Sequence, residues 1–182
     1  MSEGIILETQ RLYFRQHILA DLDAFCAMEA DPDFRRYVGG APRPRDQAEQ
    51  RFMNGLKPVT DNLSMWATIY KPESKYIGRC GIYPHFNANG QPIAGEGAFG
   101  VYLDKAYWNM GLATEAGTAF IDFGFDQLKL ERIVTAIDAR NDASVHVIEK
   151  LGFKLDRTEK GDPRSFYHYV LARKSRNFTS KP

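Results

Sequence analysis

The stretch at residues 107–115, YWNMGLATE, constrains this chain more than any other. A strand-like apolar run, FGVYL at 99–103, precedes it, and a helix-like run reaching residue 128 follows it. A glycine-containing turn between a strand and a helix leaves several main-chain N–H groups unpaired at the positive end of the helix. Such a turn can hold a phosphate or pyrophosphate without a cationic side chain. Taken alone, it also fits an ordinary strand-to-helix connection.

The flanking elements follow from periodicity. Residues 5–16 alternate in part, with Leu12 and Phe14 on one face, and predict a first strand. Residues 21–30 predict a helix with Asp21 as N-cap, closed by Asp31-Pro32. After a turn-rich connector at 38–45, residues 46–57 resume helical spacing through Ala48, Phe52 and Leu56, and Pro58 stops them. Residues 64–70 and 76–83 predict two strands joined by KPESK, and 84–95 an exposed polar loop. Residues 96–103 predict the strand before the turn, and 112–128 a helix with Leu112, Ala116, Ala119/Phe120 and Phe123 buried. A buried strand at 131–138, a short helix at 141–151 and a final strand at 166–172 complete the pattern, with Gly152 at a left-handed C′ position. The tail at 173–182 is basic and polar, which predicts fraying. Hairpin-like pairs before the turn and strand–helix alternation after it predict one α+β (mixed α/β) domain over 1–182, with helices on both faces of the sheet.

Composition narrows the function. A net charge of +1 over 182 residues does not point to nucleic acid or a membrane surface. Two cysteines, Cys26 and Cys80, without metal-ligand spacing argue against a disulfide framework or structural zinc and suit a reducing compartment. The N-terminus lacks signal-peptide organisation and no apolar run is long enough to span a bilayer, so a cytoplasmic location is expected.

From Glu96 onward, EGAFGVYLDKAYWNMGLATEAGTAFIDFGF and LERIVTAIDARNDASVHVIEKLGF resemble the GNAT acyl-CoA N-acyltransferases, and within them the RimJ/RimL-like branch. LETQRLYFRQ…DLDAF and MWATIY…YIGRCGIY are similar to the same branch, so the resemblance covers nearly the whole chain. It implies the GNAT fold, a mostly antiparallel sheet that splays between its fourth and fifth strands, here 96–103 and 132–138, with acyl-CoA in the gap and Gly100 as a natural bulge.

The resemblance assigns roles residue by residue. The turn Trp108, Asn109, Met110, Gly111, Leu112, Ala113 and Thr114 would bind the pyrophosphate, with Trp108 where the family often has Gln or Arg. The edge Val101, Tyr102 and Leu103 would take the pantetheine amides as an added strand, and Tyr102 or Leu103 would supply an oxyanion N–H. Asn141 and Ser144 would approach the pantetheine and the thioester, although Asn141 is equally placed to cap its helix. Many members of the branch carry a Glu at the position of Ala98. Glu96, two residues back on the same strand face, becomes the candidate base or a merely solvated residue. The Tyr acid found elsewhere in the family is replaced by Ile148, which leaves Ser144 as a candidate to relay a proton. His85, His146 and His168 are further titratable groups, Cys80 reads as a core thiol, and Arg43 and Arg45 either line a pocket for acidic acceptors or stand in an exposed loop.

The implied activity is transfer of an acetyl group from acetyl-CoA to a primary amine, either a protein N-terminus or a small molecule, by a monomer or homodimer. The alternatives are an acetyl-CoA-binding sensor without transfer, motivated by Ala98 and Ile148, and a nucleotide binder using the same turn.

Overall fold

The computed structural model describes residues 4–56 and 62–173. Eight strands form one sheet: β1 (Ile5–Glu8), β2 (Leu12–Arg15), β3 (Ser64–Tyr70), β4 (Lys75–Phe86), β5 (Pro92–Leu103), β6 (Arg132–Asp138), β7 (Lys154–Glu159) and β8 (Phe166–Ala172), in the spatial order β1-β2-β3-β4-β5-β6-β8-β7. Neighbours are antiparallel except β5 and β6, which are parallel. The helices are α1 (Leu22–Ala30), α2 (Pro32–Arg35), α3 (Arg45–Gly55), α4 (Leu112–Asp126) and α5 (Asp142–Lys150).

Two cores explain why the sheet is covered on both faces. Phe14, Phe99, Phe120, Ile133 and Phe153 fill the side under α4, with Phe14 and Phe120 edge-on at 4.8 Å. Phe25, Phe52, Ala67, Ile69 and Tyr76 fill the side under α1 and α3, with Phe25 and Phe52 at 5.2 Å. Each such aromatic contributes roughly 1.5–3 kcal/mol by leaving water. On α4 the buried stripe runs through Leu112, Ala116, Phe120, Ile121 and Phe125, with Phe123 only partly covered. Gly117 is where a Cβ would stand 2.5 Å from Leu151, so the glycine lets the segment after α5 close against α4.

Several expectations are corrected. Residues 5–16 are two short strands, because Thr9 accepts and donates across a turn to Leu12 and folds the segment back on itself. Asp21 makes no cap bond to α1; its carboxylate takes two bonds from Arg15 instead, while Asp31 caps α2. The expected exposed loop 84–95 is mostly strand, since β4 and β5 extend past Pro84 and turn over Asn87–Gly90, held by the Asn87 side chain. A bulge does occur in that ladder, between Pro84 and Phe86, whereas Gly100 pairs regularly with Gly81. Strand β7 was not expected at all. Its six residues are exposed and mostly charged or polar, so it carries no burial pattern. Most of the tail at 173–182, and Lys57 and Pro58, lie outside the described residues.

The feature that positions the site is the brevity of the parallel ladder. Strands β5 and β6 pair only at Glu96↔Arg132, Gly97↔Ile133 and Ala98↔Val134. Beyond Ala98 the two strands part, which is why Val134 and Thr135 are half-buried and Ala136 exposed in a segment that reads as fully buried. Because the two strands are parallel, their C-terminal ends share one edge of the sheet. The chain leaves β5 into the turn before α4 and leaves β6 into α5, so both helices begin at the mouth of the split.

Candidate active site

The turn before α4 has the expected form. Gly111 sits at φ +76°, a conformation that favours glycine, and Asn109 at φ +60°. The N–H groups of Asn109, Met110, Gly111, Leu112, Ala113 and Thr114 donate to no protein acceptor among the described residues; the first bond of the helix is Glu115 N–H to the Gly111 carbonyl. The α4 N-terminus lacks a side-chain cap, so it offers its dipole and donors outward.

A cation that sequence reasoning missed stands beside this turn. Arg11 donates from Nη1 to the Met110 carbonyl at 2.9 Å and from Nε to Glu115 at 2.7 Å, and its Nη2 lies 3.6 Å from where a Cβ on Gly111 would be. Glu115 also accepts from the Arg11 main chain and from Thr9 Oγ1. Burial pushes the Glu115 carboxyl up, but these bonds outweigh it and hold it below its usual range. The glutamate therefore fixes Arg11 against the turn, a relationship spanning more than a hundred residues of sequence with no local signal.

The strand edge is narrower than expected. Asp104 N–H pairs with the Ile77 carbonyl on β4, and antiparallel alternation then directs the main-chain groups of Tyr102 toward Arg79 and those of Val101 and Leu103 into the split. Tyr102 N–H is thus committed to the ladder. The Leu103 carbonyl is taken by Trp108 Nε1 at 2.7 Å, which ties the turn to the end of β5 and leaves the indole 43% exposed. Asn141 caps α5 by accepting from Ser144 N–H at 3.2 Å, and its amide nitrogen and the Ser144 hydroxyl make no bond among the described residues.

The two candidate catalytic residues are not brought together. Glu96 faces Arg132 at the closed end of the split, whereas Ser144 follows the other end of β6, about 20 Å away at strand rise. Glu96 is not a freely solvated residue. Its side chain is 13% exposed, with Oε1 receiving Arg132 at 2.8 Å and Oε2 contacting His85 Nδ1 at 2.9 Å. His85, expected in a loop, is in β4. In the neutral imidazole, donation from Nδ1 to this carboxylate leaves Nε2 as the acceptor. Of the other histidines, His146 is exposed and His168 contacts Glu159. Cys80 is fully buried, and burial pushes its thiol well above the usual range. Ile148 belongs to the core.

On the α1/α3 face a cleft of about 570 Å³ opens between α3 and strands β3 and β4, reaching Arg79 and Tyr83. Tyr83 pairs with Ala98, the last β5 residue in contact with β6. Burial, then neighbouring Tyr102, push the Tyr83 hydroxyl up to about 12. Arg43 and Arg45 do not line this cleft. Arg43 turns inward to Glu29, and Arg45 is paired with Asp23 and Glu49.

The mixed sheet is thus split between its two parallel strands, with an uncapped turn of free N–H groups at the mouth. The acetyltransferase (GNAT) domain model matches residues 11–154, and the chain belongs to that family. It is 30% identical over 153 residues to the Bacillus licheniformis protein described as uncharacterized N-acetyltransferase p20, covering 81% of this chain and 82% of that protein. Among solved structures, a GNAT-family acetyltransferase from Bacillus anthracis superposes with a TM-score of 0.80 at 21% identity, over 92% of this chain and 98% of that one. A Vibrio cholerae spermidine N-acetyltransferase in complex with CoA and spermine superposes at 0.74 with 16% identity, over the same shares. These likenesses carry the fold.

Proposed function

We propose that the protein transfers an acetyl group from acetyl-CoA to a primary amine in a direct ternary complex, in the manner of the RimJ/RimL-like branch. The observation that carries this reading is the run of free N–H groups at Asn109–Thr114 set at the mouth of the split between β5 and β6. The turn, with Arg11, anchors the pyrophosphate. Val101 and the Leu103 N–H offer the strand edge to the pantetheine arm, and the amide nitrogen of Asn141 offers a further donor. The donor substrate supplies an activated thioester; the protein supplies alignment, which carries much of the acceleration.

The attacking amine must be neutral, against a pKa of about 8 for an α-amine and about 10.4 for a lysine. His85 Nε2, oriented by Glu96, accepts that proton through water, since Glu96 lies about 7 Å along the strand from Ala98. A hydroxyl near 12 such as that of Tyr83 stays protonated and acts as a hydrogen-bond donor beside the reacting centre.

The test is thiol release from acetyl-CoA across peptide and small-amine acceptors, with binding measured separately. Release that depends on an amine supports the proposal. Binding of acetyl-CoA without release favours the sensor reading, to which the double pairing of Glu96 lends weight. Stabilisation by ATP or NAD but not by acetyl-CoA overturns both.

A further inference from the structure

The polar group most out of balance lies behind the cleft on the α1/α3 face. Glu29 is 0% exposed and its two oxygens receive three guanidinium groups: Arg35 and Arg43 on Oε2, each at 3.0 Å, and Arg79 on Oε1 at 2.8 Å. One carboxylate cannot neutralise three cations. Arg79 is 6% exposed, is sandwiched between the rings of Phe25 and Tyr102 at 4.8 and 5.0 Å, and lines the cleft. Its Nη1 is buried without a hydrogen-bond partner. A buried guanidinium nitrogen left unpaired costs free energy until something accepts from it.

Arg51 lines the same cleft from α3 and makes no hydrogen bond or ion pair among the described residues. Desolvation, then the like charge of Arg79, hold its guanidinium below the usual range, so an anion there is favoured by both cations. Gln47, Gln50 and Ser64 supply neutral polar groups, and no Asp or Glu lines the cleft among the described residues. Among those described residues a polycation finds no carboxylate to pair with.

We propose that this cleft is an anion subsite of the acceptor: Arg79 and Arg51 hold a carboxylate or phosphate borne by the amine substrate, which excludes polyamines as preferred acceptors. The inference rests on the acetyltransferase reading. Guanidinium forks match both oxyanions, and a cleft of this volume accommodates a small molecule or the first residues of a peptide.

The test measures kcat and KM for thiol release from acetyl-CoA with γ-aminobutyrate, O-phosphoethanolamine, butylamine and spermidine, and with tetrapeptides carrying Glu or Lys at the second position. The expected result is a kcat/KM about tenfold or more higher for the anion-bearing member of each set. The carboxylate and phosphate arms tell the two sources apart. Arg51→Gln, on the exposed side of α3, raises KM for those acceptors about tenfold and leaves butylamine unchanged; Arg79→Lys does the same more strongly if it folds. Equal or better use of spermidine or the Lys peptide, or an Arg51→Gln effect shared by all amines, overturns the subsite while keeping the transferase. If acetyl-CoA binds but no amine releases thiol, the transferase reading fails instead. Calorimetry with the same probes then decides the subsite: anion binding lost in Arg51→Gln supports it, and no difference overturns it.

Discussion

Glu96 and Arg132 form the first pair of the short parallel ladder and are joined by a 2.8 Å ion pair, two residues before the strands separate. The bond pins the closed end of the split, and the same carboxylate orients His85. Glu96→Gln is expected to keep most of the contact to Arg132 but to lose the charge that fixes the imidazole. Turnover should fall by about a hundredfold, the lower end of general-base contributions. His85→Gln should lower turnover at least as far. Turnover unchanged in both variants assigns the pair a structural role only.

At the other end of the split, Gly111→Asp places a negative charge and a strained residue in the anion turn, at φ +76°. Affinity for CoA, read by calorimetry, should fall more than tenfold with the circular dichroism spectrum retained. Unchanged affinity removes the turn from the binding site.

Arg11→Ala deletes the cation beside that turn and its bonds to Glu115 and Met110. Affinity for CoA should weaken severalfold, and its salt dependence should flatten because one phosphate contact is gone. Affinity for dephosphorylated pantetheine should not change; an equal loss for both ligands means that the effect runs through the fold.

Removing the buried carboxylate of Glu29 leaves Arg35, Arg43 and Arg79 facing one another. Burial raises the Glu29 carboxyl, but the three arginines, Arg79 foremost, hold it below its usual range. Glu29→Ala should destabilise by about 3–5 kcal/mol, the cost of stranding buried charge, measured by urea unfolding. A change under about 1 kcal/mol contradicts the balance drawn for this cluster.

His17 sits among Phe25, Phe52 and Tyr76, and burial pushes its imidazole down to about 4. The unfolded chain takes up this proton first, near 6.5. The stability tied to a neutral His17 is therefore complete above about pH 6.5 and lost as pH falls through about 4, by at most roughly 3 kcal/mol. Glu29 and Glu115, whose folded values are depressed, lose theirs in a lower window. Urea midpoints of His17→Phe should be flatter between pH 6.5 and 4.5 than those of the parent, and an identical slope refutes the assignment.

What could be read from sequence was what is local. The turn at Gly111, the Asn141 cap and the stripe Leu112–Ala116–Phe120 depend on neighbours within a few residues, and the strand-to-helix order specified the sheet with helices on both faces. Strand β7 escaped because Lys154, Arg157, Thr158 and Glu159 pair with β8 through the main chain while their side chains stay exposed. The His85–Glu96 contact needed the β4/β5 register, which a bulge beyond Pro84 shifts. Arg11 at the turn and Arg79 on Glu29 are products of tertiary packing, and no spacing announces either one.

The bond from the Trp108 indole to the Leu103 carbonyl also acts as a stop. An extended chain laid along the open side of β5 meets a free donor and a free acceptor together only at Val101, since Tyr102 turns away and Leu103 has already given up its oxygen. The register of any such guest is therefore dictated by a single residue, and a substitution at Trp108 should let it slide.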